Sequence, residues 1–145
     1  MKTATFYTHV AVPEVFACRL IGTVYDKASR LLVLCQDEAE MARLSDSLWA
    51  QADDSFLAHE TWTGDAPFPA HAPIVLTFGG QTLPEQGVPT VALNLATDLC
   101  AYPQLARVLE IVGADEAQLA AARGRFAAYR QAGLTLEHYS MQGKA

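Results

Sequence analysis

Apolar residues along this chain fall into short unbroken runs that alternate with longer stretches of helical spacing. Ala4 to Val10 is β-branched and aromatic around Phe6-Tyr7-Thr8 and predicts a first strand. Pro13 suits a first helical turn, and Phe16, Leu20 and Val24 recur at i, i+4 and i+8, with Val15, Cys18 and Tyr25 widening the stripe. An amphipathic helix should therefore follow. Leu31-Leu32-Val33-Leu34-Cys35 is continuously apolar, the pattern of a strand covered on both faces in a parallel sheet. Asp37 and Glu38 put acids at the positive end of a second helix whose stripe is Met41, Leu44 and Leu48 and which should end near Trp49. Strand, helix, strand and helix in this order predict right-handed βαβ crossovers and an α/β class.

Gln51 to Pro73 breaks the pattern with Asp53, Asp54, Gly64, Asp65, Pro67, Pro69 and Pro73, and reads as loop or edge, with Ser55-Phe56-Leu57 a short extended piece. Ile74 to Phe78 reads as a buried strand, Gly79-Gly80 as a turn and Val91 to Leu95 as another strand. Leu105 to Val112 is apolar but ambiguous between helix and strand. Asp115-Glu116 at one end, Gly133 at the other and Arg123, Arg125 and Arg130 toward the C-terminal half define a last long helix. Ser140 to Ala145 is expected to fray. The 145 residues are read as one domain, 1–145.

Composition narrows the function. With 51% hydrophobic and 18% charged residues the chain can bury a core and is not expected to be disordered. Ten basic against sixteen acidic residues give a net charge of −6, so the overall field repels phosphate and non-specific nucleic-acid binding loses its usual driver. Cys18, Cys35 and Cys100 cannot all pair within one chain and form no CxxC, so reduced thiols in a cytoplasmic protein are expected. No run approaches the length of a signal peptide core or a membrane span, so no membrane association is expected.

Candidate chemistry is sparse. There is no GxGxxG and no GxxxxGK[ST], and Gly79-Gly80 is followed by Gln81, Thr82 and Pro84 rather than by a helix start, so a plain turn outweighs a phosphate loop. Cys35 at a strand end, with His59 or His71 as base, would make a small cysteine-dependent hydrolase, though no glycine elbow follows it and an apolar strand-end cysteine is ordinarily a small buried hydrophobe. His9, His59, His71 and His138 lie far apart without HxH or HxxxH spacing, and no metal or other cofactor is expected.

Charge is segregated. Asp37, Glu38, Glu40, Asp46, Asp53, Asp54, Glu60 and Asp65 cluster with Arg43 as the one base among them, while Arg107, Arg123, Arg125 and Arg130 lie late. On the last helix Arg123, Phe126, Tyr129 and Arg130 are spaced so that one stripe mixes guanidinium with aromatic surface, suited to an acidic, apolar peptide. The duller reading packs Phe126 inward and leaves the arginines to complement the helix dipole. Trp49, Phe56 and Trp62 bracket the turn-rich segment as interface anchors or as a core lid.

Taken in order, four stretches resemble the chi subunit family of bacterial DNA polymerase III holoenzyme: Met1 to Tyr7, Val33 to Glu38 leading to Leu44 and Leu48-Trp49, Ser55 to His59, and Arg123 to Gly133. The resemblance implies a three-layer α/β sandwich with a mostly parallel sheet, Rossmann-like but without the nucleotide-binding motif. It implies a non-catalytic adaptor in the clamp-loader assembly, with two protein partners and no direct sequence-specific nucleic acid. One partner is the psi subunit, which the resemblance sets against Trp49 and Phe56. The other is the acidic, apolar C-terminal tail of single-stranded DNA-binding protein, which it sets against Arg123 and Phe126 and, more loosely, Tyr129, Arg130 and Gly133. The chain departs from the family pattern where Phe126 replaces an aromatic hydroxyl, where Leu119 and Ala127 stand near family lysines, and where Ala58 replaces a proline.

Overall fold

Each side chain of Leu31–Cys35 is 4% exposed or less, and that burial follows from the run's place inside a sheet with packing on both faces. The computed structural model describes residues 2–27, 29–50 and 57–142. In chain order the elements are β1 (Thr3–Val10), α1 (Pro13–Asp26), β2 (Leu31–Cys35), α2 (Glu38–Trp49), β3 (Glu60–Thr61), β4 (Ile74–Phe78), β5 (Val91–Asn94), β6 (Arg107–Gly113), α3 (Glu116–Gln131) and β7 (Thr135–Ser140). The seven strands lie in the order β3-β4-β2-β5-β6-β1-β7, and every neighbouring pair is parallel. The expected α/β class holds, and the sheet is wholly rather than mostly parallel.

The topology explains the layers. From β1 the chain passes through α1 to β2, stepping over β6 and β5, whereas from β6 it passes through α3 to β7, stepping over β1 in the opposite direction. Right-handed crossovers running in opposite directions put their helices on opposite faces. One core accordingly joins Ala17, Cys18 and Ile21 of α1 and Met41, Leu44 and Leu48 of α2 to Leu31, Val33, Leu76, Leu93 and Leu109. The other joins Ala122 and Tyr129 of α3 to Phe6, Leu32, Leu34, Val75, Ala92 and Val108. Alternate residues of β2, β4, β5 and β6 therefore serve different cores, which is why these strands read as unbroken apolar runs.

Local expectations fare unevenly. α1 centres its buried face on Ala17, Cys18 and Ile21, so Phe16 and Leu20 flank it and Val15 is 47% exposed. Of Leu105 to Val112, the part from Arg107 onward resolves as strand, because β6 pairs on both sides and divides Val108 and Leu109 between the two cores. Of the short extended piece, Ser55 and Phe56 lie outside the described residues and Leu57 is buried, while the strand of that region is Glu60–Thr61. Strand β7 had no counterpart in the sequence reading.

Irregular segments cover the α3 face beside the helix. Arg30 holds them by donating to three carbonyls: Nε to Ala72 at 2.9 Å, one terminal nitrogen to Gly87 at 2.7 Å and the other to Pro69 at 3.3 Å. Gly87 is required there, with φ +85° and a space where a Cβ would meet the Ala70 Cβ at 2.8 Å. No helix among the described residues is long and apolar enough to cross a membrane.

Leu93, on interior strand β5, is fully buried against the α1 and α2 core. Leu93→Ala should cost about 2–5 kcal/mol of stability, read as a lower denaturation midpoint at unchanged slope.

Candidate functional site

Helix α3 begins and ends on local signals. The Asp115 carboxylate accepts the Ala117 and Gln118 backbone N–H groups at 2.7 and 3.0 Å. At the other end Gly133, with φ +91°, closes a Schellman turn: its N–H donates to the Arg130 carbonyl at 3.0 Å and the Leu134 N–H to the Tyr129 carbonyl at 3.1 Å. That turn sends the chain directly into β7.

Between its ends α3 buries little, only Ala122 and Tyr129 fully. What anchors it is polar. Glu110 of β6 is completely buried, and its carboxylate accepts from Arg125 Nε at 3.1 Å, Asn94 Nδ2 at 2.8 Å and the Tyr129 hydroxyl at 2.7 Å. The Tyr129 hydroxyl in turn accepts the Cys100 N–H at 3.0 Å. Burial raises the Glu110 carboxyl above the ordinary glutamate range, against the lowering influence of the Arg125 charge and the three donors. The same burial, with Glu110 beside it, raises the Tyr129 hydroxyl.

With Arg125 committed inward, the neighbouring face of α3 carries Arg123 and Arg130. Both are exposed, and among the described residues neither makes an ion pair. The Arg130 guanidinium lies over the Phe126 ring, 5.5 Å from its centroid. Phe126 is half-buried and tilts against Phe6 at 5.3 Å. Phe126 thus packs inward on one side, as the duller reading has it, while Arg123 and Arg130 stay exposed. Tyr129 corrects the expectation for that residue: at 3% exposure it supports the helix from within the core and offers no surface to a partner. Gly133 supplies the turn.

Of the second set of expected contacts, Trp49 belongs to α2, which packs on the other face of the sheet. Trp49, at the end of α2, is 51% exposed, with its ring 4.2 Å from that of His59. His59 is buried between the Ser45 hydroxyl, 2.8 Å from Nε2, and the Leu57 carbonyl, 2.9 Å from Nδ1. Phe56 lies outside the described residues. Trp62 is a core lid, buried against Phe68 and donating to the Ala66 carbonyl at 2.7 Å.

The hydrolase alternative loses its chemistry. Cys35 is fully buried, and desolvation, helped by Glu40 and Asp37, pushes its thiol up to about 12, so it is a protonated thiol near neutral pH. Among the described residues no three His, Cys, Asp or Glu side chains gather as a metal site. A cleft of about 990 Å³ does open beyond the ends of β5 and β6, bounded by Asn94, Thr97, Gln118 and Arg125. In nucleotide-binding α/β folds a phosphate sits here on free backbone N–H groups. In this chain the Gly113 N–H donates to the Gln118 side chain at 2.9 Å and Asp115 caps the helix start, so those donors already have partners of the chain's own.

The family model for the DNA polymerase III chi subunit, HolC, matches residues 1–137. The chain belongs to the DNA polymerase III chi subunit family. A DNA polymerase III subunit chi from Pseudomonas aeruginosa is 29% identical over 126 residues, covering 86% of this chain and 84% of the relative. Those of Escherichia coli K12 and Haemophilus influenzae are 26% identical over 145 residues and 23% over 140, covering 94% and 93% of this chain and 96% and 94% of the relatives. Membership makes the chain a replication accessory subunit. The residue that sequence reasoning missed is Glu110. Its signal was a lone acid inside the apolar run from Val108 to Val112, where a carboxylate needs a buried cation or hydrogen-bond donors.

Glu110→Ala should cost about 3 kcal/mol, because it strands the Arg125 charge and two further donors. Because the native carboxyl titrates above the unfolded one, its contribution to stability is greatest in acid and declines as pH rises through the native value. Urea titrations should therefore show the gap between wild type and variant widening as pH falls from neutral toward the ordinary glutamate range.

Proposed function

We propose that this chi-family chain is a non-catalytic, cytoplasmic adaptor of the clamp-loader assembly that binds the psi subunit with one surface and the acidic C-terminal tail of single-stranded DNA-binding protein with another. The observation that carries the tail reading is the pair of guanidinium groups at Arg123 and Arg130, without ion pairs among the described residues, flanking a half-buried ring. An acidic segment ending in an apolar residue and a free carboxylate needs a cation for the charge and an aromatic wall for the side chain. Arg123 and Arg130 supply the first and Phe126 the second. In a molecule of net charge −6 such a partner is repelled elsewhere and accepted at this stripe.

For psi, support comes from Trp49, a large exposed ring at the end of α2, with Phe56 carried on sequence resemblance alone. Since α2 and α3 pack on opposite faces of the sheet, the two partners can be held at once. DNA is then reached through the coating protein. Many tail copies along one coated strand raise the effective concentration at a single modest site, so a weak contact retains the assembly.

Arg123→Ala should lower tail affinity by about 1.5–3 kcal/mol, the range for a charge-assisted hydrogen bond, and leave the melting temperature unchanged. Calorimetry with a synthetic tail peptide checks this, and undiminished affinity removes Arg123 from the site. Trp49→Ala should weaken psi capture by about 2 kcal/mol in a co-purification or titration while tail affinity stays as in wild type. Loss of both together would contradict separate surfaces.

A further inference from the structure

We propose that the outer edge of β7 takes up the acidic peptide as an added strand, so that main-chain hydrogen bonds join the arginine and aromatic contacts; this rests on the tail-binding reading above. The two edges of the sheet are unlike. β3 is only two residues long, whereas β7 runs for six, with β1 as its one strand neighbour among the described residues. Edge strands are ordinarily blunted by shortness, proline, lysine or a bulge. β7 has none of these: Thr135–Ser140 contains no proline or lysine, and its register with β1 runs unbroken from Thr3 opposite Thr135 to Thr8 opposite Ser140.

The direction of its backbone groups follows from its two end bonds. The Thr135 N–H donates to the Lys2 carbonyl and the Met141 N–H to the Thr8 carbonyl, each at 2.8 Å. With a period of two, the odd-numbered residues turn both main-chain groups toward β1, and Leu136, His138 and Ser140 turn theirs outward. The side chains on the same positions face α3. Leu136 packs on the core that holds Phe126, and the His138 ring meets the Thr8 hydroxyl at 2.7 Å. The acid of this strand, Glu137, is on the opposite face, where Arg107 and Thr5 engage it at 3.3 and 2.7 Å.

Charge and length select the occupant. Arg123 and Arg130 are seven residues apart on α3, roughly 10 Å along the helix. Three residues of extended chain cover about the same distance. An acidic peptide laid along β7 thus passes both guanidinium groups while its backbone meets Leu136, His138 and Ser140, and its apolar end reaches Phe126. A second copy of this chain pairing through its own β7 brings a single acid, Glu137, already engaged by Arg107 and Thr5, and so no comparable match to two cations.

Amide hydrogen exchange on the full chain tests this, with a short synthetic peptide of aspartates ending in phenylalanine and a free carboxylate. Peptide binding should slow the Leu136, His138 and Ser140 amides about tenfold and leave Thr135, Glu137 and Tyr139 as they were. In calorimetry, methylating the peptide's backbone nitrogens one at a time should cost roughly two- to tenfold in affinity at alternate positions and little between them. A peptide that binds with no slowing at those amides and no methylation cost overturns the added strand and leaves the tail reading standing. Failure of the unmodified peptide to bind overturns both. Slowing of the same amides with protein concentration, without peptide, makes a second copy the occupant and overturns the peptide.

Discussion

A single buried carboxylate governs how this protein presents its third helix. α3 sinks only Ala122 and Tyr129 completely, with Leu119 and Phe126 packed partly against the same core, so apolar burial leaves its rotation about its own axis some freedom. Glu110 removes that freedom by accepting from Arg125 and Tyr129, one turn apart on the same side of the helix. A charge in the interior is tolerated only when its oxygens are satisfied, and here three donors converge on them. The resulting geometry is more directional than a greasy contact of equal strength. It keeps Arg123 and Arg130 turned toward solvent beside the half-buried Phe126.

The same arrangement sorts the arginines. Arg30 serves three loop carbonyls and Arg125 serves Glu110, so both are structural. Arg107 pairs with Glu137 at the surface, where such a bridge contributes little. Arg19, Arg43, Arg123 and Arg130 make no ion pair among the described residues, and of these Arg130 lies over the Phe126 ring. Arg123 and Arg130 thus stand beside the half-buried Phe126 ring in an acidic molecule without an ion pair among the described residues, which is what draws the proposed tail site to this stripe.

Much of the fold was legible because parallel strands covered on both faces announce themselves as apolar runs. Leu31–Cys35 and Ile74–Phe78 match their predicted bounds residue for residue. The α3 signals at Asp115 and Gly133 were equally readable, since caps are local chemistry. What escaped was whatever depends on partners distant in sequence. Glu110 and Arg125 look unremarkable until the βα crossover brings them to 3.1 Å. Tyr129 was placed with the exposed stripe because spacing alone cannot tell which side of a broad helical face points inward. β7 was missed because Thr135–Ser140 has the weak alternation of a half-exposed edge, a signal far fainter than an unbroken apolar run.

That faintness is itself informative. An interior parallel strand must be apolar throughout, whereas an edge strand beside a helix needs apolar side chains only where it touches the core, as Leu136 does. The residues between need not be apolar, and in β7 they are a threonine, a glutamate held by Arg107 and Thr5 and a tyrosine stacked on Tyr7 rather than the lysines or prolines that usually discourage further pairing. The Schellman turn at Gly133 joins β7 to α3, so the helix that carries Arg123 and Arg130 and the strand with the outward backbone meet at one hydrogen-bonded corner. Side-chain charge and main-chain hydrogen bonding are then held in constant relation. On the proposed reading, a flexible tail arriving at that corner would order its backbone and neutralise its acids in the same step, which would lower the entropic cost per contact relative to either surface alone.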